Sequence, residues 1–179
     1  MLYVGGVRRR DAGDESEYVL NMWLNFFEDA LFASIAAIGF SAISNPPKRA
    51  YIYCAAIAAS GHSLRWVLIT LLHVHIVAGT LCGALLIGWM AVELSHKGRV
   101  PADTFLFPSL LPMIPGIYAY RSFGALMLCV WHGGDSDFMH YFSLMASNAL
   151  TCLFILLALT LGGTLPMFLM KKQSFSATR

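Results

Sequence analysis

The sequence predicts an all-α membrane protein with five transmembrane helices, the fourth broken at a Pro-x-x-Pro-Gly motif. Apolar residues fill 58% of the 179 positions and charged residues only 12%, about half the charged share of an ordinary soluble domain. The chain also divides into five apolar stretches, judged against the roughly 20 residues that cross a bilayer. None alternates polar with apolar residues as a barrel strand does. Backbone in lipid must satisfy its own hydrogen bonds, so helices are expected. The mean hydropathy of +0.64 agrees, and a formal charge of +2 is too small to suggest nucleic-acid binding.

Residues 1–22 form a polar extension in which Arg8, Arg9 and Arg10 precede Asp11, Asp14, Glu15 and Glu17. It is too polar for the apolar core of a secretory signal and is expected to be mobile. Met22 is an alternative start to Met1, because the first apolar stretch follows it directly. A single five-helix domain then covers residues 23–172, followed by a tail at 173–179. Its spans run from Trp23 to Ser44, Arg49 to Leu72, Ile76 to Leu94, Thr104 to Trp131 and Tyr141 to Met170.

Loop charges orient the spans. Lys48 and Arg49, Lys97 and Arg99, and Lys171, Lys172 and Arg179 all fall on one side. The opposite loops hold His73 and His75, or Gly133, Gly134, Asp135 and Asp137, without Lys or Arg. The positive-inside rule puts the C-terminus in the cytoplasm and the N-terminus outside.

In spans one and two, ionisable groups stand at membrane depth, where they are rare and usually functional. Arg65, in Gly61-His62-Ser63-Leu64-Arg65, is about seven residues from the end of span two, which places its Cα roughly 10 Å inside. It either snorkels to the interface or faces a polar interior. Asp29 lies 18 positions before Pro47 and Arg65 lies 18 after it. In a hairpin turning at Pro46-Pro47 the two share a depth and can meet, whereas Glu28 points elsewhere; otherwise both acids belong to the headgroup region.

Span three is structural, with Gly79 and Gly83 as a small-xxx-small step for close helix approach. Span four carries Pro112-Met113-Ile114-Pro115-Gly116-Ile117-Tyr118-Ala119-Tyr120. Two prolines remove backbone donors and interrupt the helix, giving either a simple kink or a half-helix N-terminus that attracts anionic substrate groups. In span five, Asn148 lies at the depth of Arg65 and either bridges helices or faces a site. Cys54, Cys82, Cys129 and Cys152 lie singly in apolar runs without CxxC spacing, and His73 and His75 have no ligand cluster. Neither set predicts a metal, a disulfide or a cofactor. The chain has no HExxH or GxSxG motif, so an enzyme is not expected.

Asn45-Pro46-Pro47-Lys48-Arg49, Gly61-His62-Ser63-Leu64-Arg65 and, most specifically, Pro112 to Tyr120 resemble the threonine/serine exporter family. The resemblance covers about Trp23 to Lys172, with Asp29 and Asn148 in matching places, and is to the small subunit of the split, two-protein type. It implies a secondary exporter of threonine and serine, or of succinate-like dicarboxylates, driven by the proton-motive force in a bacterial inner membrane. It also implies a larger membrane partner, while a homo-oligomer stays open. If each half supplies five spans, a fused version with a short linker sets its halves in opposite orientations, with the site between them. On this reading Arg65, His62, Pro115, Gly116, Tyr118, Tyr120 and Asn148 bind a carboxylate-bearing substrate, and Asp29 competes for Arg65 and carries the coupling proton. The alternative is a structural subunit without its own substrate site.

Overall fold

A chain this apolar reaches a stable backbone by closing its hydrogen bonds within helices, and that is what it does. The structure, a computed structural model, describes residues 12–44, 46–98, 100–133 and 137–170. Helix α1 spans Ala12–Ser44, α2 Ala50–Thr70, α3 Ile76–Gly98, α4 Asp103–Leu110, α5 Gly116–Trp131 and α6 Phe138–Leu169; a 3-10 turn at Leu111–Met113 follows α4. The mobile extension expected at the N-terminus falls partly outside the described residues. From Ala12 onward it is helical and continuous with α1, since no proline interrupts the polar stretch before Trp23.

Within α1 the apolar, membrane-length part is Val19–Ile43, and α2, α3 (Ile76–Ser95) and α6 are also long and apolar enough to cross a membrane. A further candidate span consists of α4 and α5 together, bent by 48° at the break between Met113 and Gly116. Outward faces carry Phe27, Leu31, Phe32, Ile43, Ile52, Phe168 and Leu169, each more than half exposed, which suits lipid rather than water. The architecture is that of a multi-pass membrane protein.

Packing follows the small residues. The hairpin α1–α2 lies beside α3, α3 runs along α6, and α4 is wedged against α1, α2 and α3. A Cβ on Gly83 would lie 2.9 Å from the Gly61 carbonyl oxygen, and one on Gly162 would lie 2.8 Å from that of Leu81. Without Cβ atoms at these points the backbones approach far closer than larger residues allow. Around these seams Ile57, Ile87, Phe105, Met113 and Ile155 form the core. Serine hydroxyls tie α4 to α2: Ser109 Oγ lies 3.1 Å from the Cys54 carbonyl and 2.8 Å from that of Phe105.

Candidate functional site

Proline chemistry shapes the break. Ile114, which precedes Pro115, has φ −59° and ψ 131°, because a following proline ring excludes the helical conformation. Pro115 has φ −79° and ψ 59°, an inverse γ-turn in which the Gly116 N–H donates to the Ile114 carbonyl at 2.8 Å. Helix α5 restarts there, with Ala119 N–H donating to the Pro115 carbonyl at 3.2 Å and no side chain capping its start. The first N–H after Pro115, that of Gly116, is therefore already satisfied. The donors left without an intrahelical partner are those of Ile117 and Tyr118.

Ile117 and Tyr118 border a cavity of about 590 Å³ whose polar lining comprises Asp29, His62, Arg65, Thr70 and Tyr118, with Trp66, Ile69, Ile76, Ile114 and Ile117 as apolar wall. Pro112, Pro115 and Gly116 also line it. That volume lies within the usual range of small-molecule sites. The N-terminal end of α5 and the Arg65 guanidinium thus present positive potential to one space.

Asp29 bonds to His62 rather than to Arg65. His62 Nδ1 and Asp29 Oδ2 are 3.2 Å apart, with the histidine side chain 12% and the aspartate 38% exposed. Among the described residues this is the only ion-pair contact, so Arg65 has no carboxylate at that range. The cause is register. Ser34 Oγ donates to the Ala55 carbonyl, Asp29 meets His62, and the Phe26 and Trp66 rings lie 5.4 Å apart. Every one of these pairs is centred one to three residues ahead of Pro47. Such an offset moves Asp29's partner back by nearly one turn, from Arg65 to His62 on the same face of α2. The other ring nitrogen, His62 Nε2, is buried and has no partner among the described residues. A second cavity of about 220 Å³ touches Asp29, His62 and Pro112 together with Phe32, Ala33 and Ala36, so the Asp29–His62 pair borders both cavities.

Asp29, His62, Arg65, Pro115, Gly116 and Tyr118 therefore meet at one cavity, and two other expected site residues do not reach it. Tyr120 is 79% exposed, two residues beyond Tyr118 and so on a different face of α5. Asn148 donates to the Leu144 carbonyl of its own helix at 2.7 Å, satisfying its amide one turn back. Trp66, Ile69 and Thr70 line the cavity without having been singled out in the sequence; their spacing from His62 and Arg65 along α2 was the signal available. Among the described residues no three His, Cys, Asp or Glu side chains converge as a metal site.

A family model described as Threonine/Serine exporter, ThrE, matches residues 29–169. An uncharacterized protein of Haemophilus influenzae is 38% identical over 152 residues, covering 84% of this chain and 49% of the relative. The chain thus spans about half the length of that curated relative. No solved structure matches it. The family match opens on Asp29 and runs through the cavity and the break to the end of α6, and on that extent the chain belongs to the threonine/serine exporter family.

Proposed function

We propose that this chain is the small subunit of a secondary, proton-driven exporter of small carboxylate-bearing solutes, threonine and serine or succinate-like dicarboxylates. The observation that carries the reading is the convergence, on one cavity, of Arg65, the uncapped start of α5 and the Asp29–His62 pair. A substrate carboxylate takes a charge-assisted bond from Arg65 and the N–H groups of Ile117 and Tyr118. Among the described residues no carboxylate competes for Arg65 at ion-pair range. Asp29 and His62 hold the coupling proton, a role suited to a hydrogen-bonded acid and imidazole at membrane depth.

The family is one of transporters rather than enzymes. On this reading the chain holds half of the site, and a larger membrane partner supplies the remainder. In the orientation set by loop charges, within a bacterial inner membrane, Lys48 and Arg49 face the cytoplasm. The cavity, bordered by Thr70 and Ile76, then lies toward the outer end.

The test is efflux from liposomes loaded with threonine, serine or succinate, with the larger subunit co-reconstituted. Gly116→Leu is the sharpest variant, because a Cβ there meets nothing within 4 Å and the bundle can accept it while the side chain crowds the cavity. It should assemble normally and lose at least tenfold in efflux. Normal efflux from assembled Gly116→Leu protein would overturn the binding role of the break. If Arg65→Gln instead lowers assembly and leaves selectivity unchanged, the chain is a structural subunit.

A further inference from the structure

Helix α5 joins the bundle almost wholly through α6. Its buried residues, Ala125 and Cys129, mark that face, where Ser122 Oγ donates to the Met145 carbonyl at 3.2 Å. Beside it runs a flank at helical spacing, Ile117, Arg121, Gly124 and Leu128, which starts at the cavity with Ile117.

This flank is unsuited to lipid. Arg121 is exposed, and among the described residues no carboxylate lies within ion-pair distance of it. It sits ten residues before Trp131, so its Cα is about 15 Å from the end of α5, too deep for its side chain to place the charge readily at that interface. A guanidinium at such depth ordinarily faces protein or water and pairs with an acid. One turn on, a Cβ at Gly124 would meet nothing within 4 Å, leaving room for close approach by another helix. The cavity at the Ile117 end of this flank is lined by Asp29, His62 and Arg65, which lipid cannot solvate either.

We infer that the other half of the exporter docks along the Ile117–Arg121–Gly124–Leu128 flank of α5, laying a helix over the cavity mouth and setting a carboxylate against Arg121. The inference rests on the chain being one half of a heteromeric exporter. Its occupant follows from charge complementarity and from the relative, of which this chain matches 49%, leaving enough protein to supply that helix.

The experiment places a photoreactive phenylalanine analogue at Leu128 of the tagged chain in the membranes of its own host, with mass spectrometry of the adduct. Support is an adduct whose peptides match the part of the Haemophilus influenzae relative outside the aligned 152 residues. In parallel, Arg121→Glu should cut recovery of that subunit at least tenfold, while Arg121→Lys stays within about twofold, since a lysine preserves the charge. An adduct with a second copy of this chain overturns the inference in favour of a homo-oligomer, and an adduct with lipid alone makes the flank a lipid face. If the larger subunit co-purifies but neither crosslinks at Leu128 nor responds to Arg121→Glu, the docking flank is wrong while the heteromeric reading stands. If no such subunit co-purifies with the unaltered chain, the heteromeric reading falls and the inference with it.

Discussion

Gly88→Ala and Gly39→Ala are the same substitution in two helices, and the structure gives them opposite signs. A Cβ on Gly88 would lie 2.5 Å from the Gly163 carbonyl oxygen and 3.1 Å from Pro166 Cγ. Carbon and oxygen approach comfortably at about 3.3 Å or more, so α6 must retreat by about 0.8 Å. No side-chain rotation relieves the clash, because the oxygen is backbone and the same seam is locked at Gly162, where a Cβ would lie 2.7 Å from Ala84 Cβ. Overpacking of this kind costs about 1–3 kcal/mol, and a rigid neighbour puts it at the upper end. Alanine recovers at most about 1 kcal/mol of helix propensity, leaving about 2 kcal/mol of destabilisation. At Gly39 a Cβ meets nothing within 4 Å, so only the propensity gain remains, between about zero and 1 kcal/mol. Both variants would be unfolded reversibly by denaturing detergent in a common micelle. If Gly88→Ala proves as stable as Gly39→Ala, the backbone-to-backbone seam between α3 and α6 is not there.

A double-mutant cycle of Asp29→Asn and His62→Gln should give a coupling of about 1 kcal/mol: a hydrogen bond to a charged group contributes about 1.5–3 kcal/mol, discounted for an aspartate 38% exposed. The cycle of Asp29→Asn with Arg65→Gln should give less, and the reverse order would restore the pairing read from Pro47. For topology, cysteines at the exposed positions Gly133 and Lys48 would be treated in intact cells with an impermeant thiol reagent, in a background lacking the native cysteines. Labelling at Gly133 alone is expected, and labelling at Lys48 alone would invert the orientation.

The helices were legible because lipid imposes one solution on the backbone, so apolar length was enough to find them. Proline chemistry was equally local, and the bend falls where Pro112 and Pro115 stand. The start of α1 was not legible in this way. A polar stretch without breakers can continue a helix that the membrane segment nucleates, since propagation adds a hydrogen bond for each residue fixed. Composition reports where the membrane ends, and it is silent on where the helix does.

The site was legible in depth and less so in azimuth. Counting residues from a turn or a span end gives the height of a side chain, which is how Asp29, Arg65 and Asn148 were placed at one level. Which groups touch depends on rotation, and in a helix one residue is 100°, so an error of one or two residues in the centre of a hairpin changes the partner. That is why Asp29 meets His62 while Arg65, three residues on, lines the cavity without an ion-pair partner among the described residues. The same limit explains Asn148 and Tyr120: Asn148 has the right depth but spends its amide on Leu144, and Tyr120 belongs to the right motif but is rotated away from Tyr118. Arg121 is the converse case. It belongs to no pair that counting could propose, and only the attachment of α5 through α6 leaves its flank uncovered beside the cavity. With no carboxylate near it among the described residues, nothing in its own sequence singles it out.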